Sequence, residues 1–529
     1  MNKSLDNQMF RQQALTIEYK INNANVYFIL FSLMLCSLLV RIFLFIQPQI
    51  ISNDSVFYIM VAKSIESGHQ YHSSDLSFFS IYPFFLVIMF KCVNNWELAG
   101  RLLSLGFGTL AVVPLFLLFS RMLSRKIALI AAILYIIGPR FMEYSTDILR
   151  EPTFWCISLC ALWCALKGID EKKLPYLLLS SLITVLSFGI RIEGIGIFLV
   201  IVSWIIFNKN RLSAKETAGY ILIISFYGPA IVFLSCFILN FQLSSEIIKM
   251  AWDNKLFPLL QGVKSSGVIT DNLNSISLYT RSLLELARDH KYFLFSVEII
   301  FKTFKSITLL PTIFLLAGFF LRRIIPFSRR EGYLIIWIAV FFIVSIFYMR
   351  GTHYFSTRHG LLLGIPALPW MAIGFLELGN AFRILVGRHL NRLPKLAPIL
   401  MFLLLAIVLG QAFITGRPDD KIDLKMTGLE LKNKGYAKSK MYIQQGLQRL
   451  AFYADSDSIV MPDNIKARDI PELMKDVKAT ILVVDLDSIN SLIPKFQSDL
   501  QLSKFDRIPA AMKSRKSHYT LIIYKLKDS

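Results

Sequence analysis

Apolar residues in this chain come in blocks long enough to cross a bilayer, divided by short polar or basic connectors. The first block reads YFILFSLMLCSLLVRIFLFI, from Tyr27 to Ile46. A helix of about 20 apolar residues crosses roughly 30 Å of hydrocarbon. Further blocks lie near 98–119, 126–141, 151–167, 174–189, 194–207, 217–240, 304–321, 332–349, 360–381 and 396–415, so the pattern predicts eleven spans. The segment 79–92, FSIYPFFLVIMFKC, is too short for a span and predicts an interfacial or re-entrant piece. From about Gly416 the period changes. KMYIQQ, SIVMP, ATILVVDLD and HYTLIIYKLK read as strands, and LQRLAFYA and DIPELMKDV as helices. The predicted fold is a mainly α, polytopic membrane protein with a small C-terminal α/β domain.

Composition agrees. Of 529 residues, 55% are hydrophobic, and the mean hydropathy is +0.54. The net charge of +21 would suit nucleic acid, but its placement argues against that partner. Basic residues cluster in connectors: RMLSRK at 121–126, NKNRLSAK at 208–215, RRIIPFSRR at 322–330 and FRILVGRHLNRLPK at 382–395. This is the positive-inside pattern of cytoplasmic loops, with added attraction to anionic lipid headgroups. The expected layout is a cytoplasmic N-terminus at 1–26, a membrane domain over 27–415 with outer loops at 48–97 and 241–303, and an extracytoplasmic domain at 416–529. The expected location is the cytoplasmic (inner) membrane. The first twenty residues are polar, which predicts an uncleaved first span rather than a signal peptide. Cys156, Cys160 and Cys164 share a helix face and read as small buried hydrophobes.

Chemistry concentrates in the predicted outer connectors. Residues 52–71, SNDSVFYIMVAKSIESGHQY, follow the first span, with Phe57, Met60, Val61, Ser64 and Ile65 at helical spacing. They predict a helix lying in the interface plane. Asp54 and Tyr58 share a side of it. Asp54 is either a helix cap or a carboxylate placed to take a proton from an acceptor hydroxyl. PRFMEYSTDILREP carries Asp147, Arg150 and Glu151; FGIRIEGIG carries Arg191 and Glu193; YMRGTHYFSTRHG carries Arg350, His353, Arg358 and His359. Charges at the ends of membrane helices line substrate paths, and the arginine fork suits phosphate. His69 and His72 lack a third partner for a metal. Asp485 and Asp487, at a strand end in the tail, read as solvated loop residues or as ligands for carbohydrate or the acceptor. No glycine-rich nucleotide loop is present, which fits a lipid-linked donor.

The order of these motifs resembles the membrane glycosyltransferases of the C fold class. Within that class it is most similar to the protein O-mannosyltransferases and aminoarabinose lipid A transferases, in their bacterial dolichyl-phosphate-mannose-type branch. The resemblance rests on Asp54, Tyr58, Ala62 and Gly68; Tyr82-Pro83; Arg101 to Ser104; Arg191, Glu193 and Gly194; and RHGLLLGIPALP from Arg358. It departs from relatives at Asn53-Asp54, where many carry an acidic doublet, and at Pro83-Phe84, where many carry Pro-Pro. The resemblance implies inverting transfer of a sugar from a polyprenyl-phosphate donor to a protein, lipid or glycan outside the cytoplasm. It implies Asp54 as general base, with Arg358, His359 and Arg191 on the donor phosphate. Tyr58, Tyr82, Asp147, Arg150, Glu151 and Glu193 would shape the sugar or acceptor site. No cofactor is required on this reading, and a divalent metal is left open. Two other classes fit parts of the pattern. A transporter or flippase of lipid-linked saccharides would place ionisable groups at the bilayer midplane, and a membrane-anchored assembly subunit would not need the charged outer connectors.

Overall fold

The computed structural model describes residues 25–47, 50–68, 80–238, 289–322, 327–389, 396–415, 422–462, 465–493, 496–509 and 519–527. His69, His72 and most of the predicted outer loop 241–303 lie outside them. The first half of the membrane domain comprises α1 (Val26–Phe45), α2 (Asn53–Glu66), α3 (Tyr82–Val93), α4 (Trp96–Leu110), α5 (Val112–Met122), α6 (Arg125–Ile137), α7 (Pro139–Tyr144), α8 (Glu151–Glu171), α9 (Leu174–Ile190), α10 (Ile195–Phe207), α11 (Ala214–Leu222) and α12 (Gly228–Ile238). Beyond residue 288 come α13 (Lys291–Ile307), α14 (Leu309–Phe320), α15 (Glu331–Thr352), α16 (Thr357–His389) and α17 (Leu396–Thr415).

Seven helices among the described residues are long and apolar enough to cross a membrane, or eight if one bent pair is a single span. This is an integral membrane protein. The blocks predicted at 126–141, 174–189 and 194–207 are helices, α6, α9 and α10, of 13, 17 and 13 residues. The block at 304–321 is not one straight span. α13 and α14 meet at 111°, turning at Thr308 with φ 69° and ψ 169°, a backbone region ordinarily reserved for glycine. The segment at 79–92 contains the short helix α3, packed on α2 and α4.

Basic connectors gather at one end of the bundle. Arg121 pairs with Asp170 and Glu171, Arg330 donates to the carbonyl of Arg121, and Lys172 pairs with Glu216. The connectors carrying Asp54, Glu151, Arg191 and Arg358 meet one another away from these groups, as the site geometry below shows.

The tail comprises α18 (Ile422–Leu431), β1 (Lys440–Ile443), α19 (Gln448–Tyr453), β2 (Asp457–Val460), α20 (Ile470–Asp476), β3 (Ile481–Asp485), α21 (Leu486–Leu492), α22 (Phe496–Asp499), β4 (Phe505–Ile508) and β5 (Leu521–Leu526). Sheet order is β2-β1-β3-β5-β4; β1 runs parallel to β2 and β3, and β5 antiparallel to β3 and β4. Side chains alternate across a strand, and here the two sheet faces enter different cores. Tyr442, Leu482, Val484 and Ile522 pack with α20 and Phe496. Met441, Ile443, Ile481, Val483 and Ile523 join Leu450 and Tyr453 of α19 in a cluster that continues into the membrane domain through Ile51, Val56, Ile59, Tyr82 and Leu103. All four predicted strands and both predicted helices are present; β4, α18, α21 and α22 are additions.

α2 is a helix, as expected. Its buried positions are Ser55, Val56, Tyr58, Ile59 and Ala62, while Met60 is exposed and Phe57, Val61, Ser64 and Ile65 are only partly covered. The helix packs against α3 and α19 and leaves the predicted face of Phe57, Met60 and Val61 the less covered one.

Candidate active site

Six ionisable side chains from four connectors close into one chain of contacts. Asp54 stands in the first turn of α2, but Ser52 caps that helix, its Oγ accepting from Ser55 N. The capping reading of Asp54 is thus displaced, and its carboxylate has another partner. Arg358, at the start of α16, donates Nη1 to Asp54 Oδ2 at 2.5 Å and lies 3.8 Å from Glu151 Oε1. Glu151 Oε1 accepts from Arg191 Nη1 at 2.6 Å. Arg191 Nη2 and Nε donate to the two oxygens of Glu193 at 2.7 and 3.3 Å. His359 Nε2 lies 3.3 Å from Glu193 Oε1, and its Nδ1 is 2.7 Å from Ser356 Oγ.

Burial divides this chain into a surface and a foundation. The side chains of Arg191, Glu151 and Glu193 are 1%, 4% and 3% exposed, whereas Asp54 and Arg358 are 43% and 26% exposed. A buried charge survives only when paired, so Arg191 is held as the counter-ion of two carboxylates. Arg358 and Asp54 remain able to meet a substrate. The turn that aims Arg191 and Glu193 depends on Gly194, where a Cβ would come within 2.5 Å of Phe188 N and 2.6 Å of Ser187 C.

A second group lies beside the first. Asp147 Oδ1 accepts from Ile148 N at 2.7 Å, Ser55 Oγ at 3.1 Å and Ser52 N at 3.4 Å. Burial raises its carboxyl pKa above the usual range, with those donors opposing the rise. Asp147 therefore ties the α7–α8 connector to the start of α2. Arg150 donates Nη1 to the carbonyl of Ile190 at 3.4 Å. Tyr58 and Tyr82 meet edge-on at 5.1 Å beneath the site, and burial pushes the Tyr58 phenol up. Tyr82 Oη is 3.5 Å from Ser104 Oγ, which bonds both the carbonyl and the amide of Leu149. Of the charged residues flagged before α16, Arg358 and His359 enter the network, while His353 stays exposed with φ 52°.

Sequence reading passed over several contributors. Ser55 and Ser356 carried no motif signal. Arg101 donates to the carbonyls of Phe45 and Thr146 at 2.5 and 3.1 Å, tying the exit of α1 to the Asp147 connector; it had been noted only as part of a motif. Glu143 pairs with Arg140 at 2.5 Å, and burial raises its pKa. Tyr144 Oη lies 3.0 Å from Thr357 Oγ1, one residue before Arg358. An apolar crevice nearby is lined by Leu134, Phe141, Ile307, Leu368 and Met371, with Arg140 at its edge.

Residues 80–235 match the family described as dolichyl-phosphate-mannose-protein mannosyltransferase. Solved structures share the fold. An oligosaccharyltransferase from Archaeoglobus fulgidus, tethered to an acceptor peptide, superposes with a TM-score of 0.56 at 13% identity, covering 95% of this chain and 76% of that one. ArnT from Cupriavidus metallidurans, bound to undecaprenyl phosphate, gives 0.53 at 13% identity, covering 95% and 98%. The oligosaccharyltransferase AglB from A. fulgidus, in complex with an inhibitory peptide and a dolichol-phosphate, gives 0.51 at 13%, covering 90% and 72%. The chain therefore has the architecture of the membrane glycosyltransferases of the C fold class. No curated protein matches the sequence.

Proposed function

We propose that this protein transfers a sugar from a polyprenyl-phosphate donor to an acceptor at the extracytoplasmic face of the membrane, by a single inverting displacement. The observation that carries the reading is the partly exposed Asp54–Arg358 pair on a buried Glu151–Arg191–Glu193–His359 foundation. An inverting transfer needs a base for the acceptor and a cation for the departing phosphate, on opposite sides of the anomeric carbon. Arg358 supplies the cation and Asp54 the base. The acceptor's nucleophilic atom attacks the anomeric carbon and passes its proton to Asp54. The bond from that carbon to the phosphate oxygen breaks, and the polyprenyl phosphate leaves against Arg358.

In the resting arrangement Arg358 occupies Asp54 itself. Donor binding then serves two ends, because a phosphate that takes Arg358 also frees the carboxylate to act. Arg191, saturated by two carboxylates, holds Glu151 and Glu193 in place and does not bind phosphate directly. The same holds for His359, engaged on both ring nitrogens. Relatives' ligands support this donor class: ArnT is bound to undecaprenyl phosphate and AglB to a dolichol-phosphate. Transfer of labelled sugar from polyprenyl-phosphate donors, compared between wild type and Asp54→Asn, tests the proposal.

A further inference from the structure

Asp54 must be held where a donor and acceptor will meet, and the segment that carries it is gripped from three directions. Arg358 holds the carboxylate. Asp147 holds Ser52 N and Ser55 Oγ. The third grip comes from 402 positions further along the chain. The amide of Ile51, a residue 2% exposed, donates to Tyr453 Oη at 3.3 Å. Tyr453 Oη donates in turn to Glu97 Oε1 at 3.5 Å. The same oxygen is 3.3 Å from Lys425 Nζ, whose ammonium sits 4.7 Å from the Tyr453 ring centroid. Lys425 and Tyr453 belong to the C-terminal domain, Glu97 to the first turn of α4, and Ile51 to the lead-in of α2.

Packing follows the same line. Ile50, Ile51, Val56, Ile59 and Ala62 share one buried cluster with Leu450, Ala451 and Tyr453, and Lys63 reaches over the Phe452 ring at 5.9 Å. Burial and the nearby Glu97 carboxylate push the Tyr453 phenol up, so it keeps its proton and donates. One turn beyond Glu97, Arg101 fixes the carbonyls of Phe45 and Thr146. The first two turns of α4 thus join the exit of α1, the lead-in to Asp54, the Asp147 connector and the C-terminal domain.

We infer that Tyr453 is a positioning residue for Asp54, and that the C-terminal domain braces the reaction centre by fixing the backbone three residues before the base. This rests on the glycosyltransferase reading above. Geometry governs how much such a brace is worth, since a misplacement of about 1 Å at a reacting group costs on the order of 100-fold in rate. Loss of one hydroxyl three residues away is expected to cost about tenfold.

The test uses the full chain in lipid nanodiscs and the substitution Tyr453→Phe, which removes the hydroxyl and keeps the ring. Hydrogen–deuterium exchange should speed up at residues 50–56 and stay unchanged in β3 and β5. Transfer from a panel of undecaprenyl-phosphate sugars should lose about tenfold in kcat, while binding of undecaprenyl phosphate alone stays within twofold. A fold merely loosened would weaken lipid binding and thermal stability together with kcat, and that result would overturn the inference. Unchanged exchange at 50–56, or kcat within twofold of wild type, would overturn it as well, leaving the reading of Asp54 intact. Transfer that survives Asp54→Asn would instead remove the reading itself, and the positioning role with it. If Tyr453→Phe does not fold, Glu97→Gln keeps an acceptor for Tyr453 but drops the Lys425 ion pair, and a loss of a few fold in kcat with the same exchange pattern is then required.

Discussion

Arg358 has two carboxylates within reach, and the contrast between them decides what the site can do. Glu151 is buried and already paired to Arg191, so its contact with Arg358 at 3.8 Å is secondary. Asp54 is exposed, and its bond to Arg358 at 2.5 Å can be exchanged for a phosphate oxygen. If the two compete, Asp54→Asn should tighten binding of undecaprenyl phosphate about fivefold or more, and the gain should vanish in an Arg358→Gln background. An equal gain in both backgrounds would mean that Asp54 repels phosphate by charge alone. Lipid-binding isotherms for the four proteins of this double-mutant cycle decide it. Asp147 calls for a different pair of substitutions. Asp147→Ala strands the amides of Ser52 and Ile148 and should cost about 1–3 kcal/mol, while Asp147→Asn keeps an acceptor oxygen and should cost much less. Burial raises the Asp147 pKa above its ordinary 3.8, so the folded state keeps a proton that the unfolded chain has already released. Its contribution is therefore present at low pH and lost as pH rises from about 3.8 through the folded value. Melting curves from pH 4 upward should show wild type losing ground to Asp147→Asn.

At the scale of elements, the sequence was most readable where a local pattern and the final environment agree. The central strand β3 is buried along its whole length, and it declared itself in the continuous apolar run of ATILVVDLD. β4 did not, because Asp506 and Arg507 at its centre point to solvent. α2 was legible as a helix, but its second apolar face, Val56, Ile59 and Ala62, was not, because it is covered by α19, a helix nearly 400 residues later that no local period can reveal. Asp54 was singled out from its place after a span and Arg358 was named separately, yet the contact between them depends on the fold. The bend at Thr308 lies inside a block that reads as one span despite Lys305, Ser306 and Pro311. Close helix crossings were also illegible. α14 and α16 approach so nearly that a Cβ on Gly374 would come within 2.5 Å of Gly318 N and overlap the carbonyl oxygen of Phe314. Small residues permit such backbone contact in membranes. Gly374→Ala must force the helices apart, with a cost of about 3 kcal/mol or more by analogy with overpacked cores, visible as a lower melting temperature in detergent and a shift of the helix bearing Arg358.

For the whole molecule, the arrangement is asymmetric in a way that separates the possible functions. Ion pairs that stabilise basic connectors lie at one end, and the Asp54–Arg358 network with the C-terminal domain lies together elsewhere. A transporter would need its ionisable groups at the middle of the bilayer between paired repeats. The network here is built from helix ends: the starts of α2, α8 and α16 and the α9–α10 turn. A scaffold would have no use for a partly exposed carboxylate–arginine pair set on a buried ionic foundation. The match of residues 80–235 to the mannosyltransferase family and the shared fold point the same way. The most direct test is transfer itself. Purified protein in nanodiscs, supplied with labelled polyprenyl-phosphate sugars and a membrane extract as acceptor source, should yield labelled product. Asp54→Asn should reduce that yield at least a hundredfold while still binding the lipid phosphate. Equal transfer by wild type and Asp54→Asn, or no binding of any polyprenyl phosphate, would contradict the account.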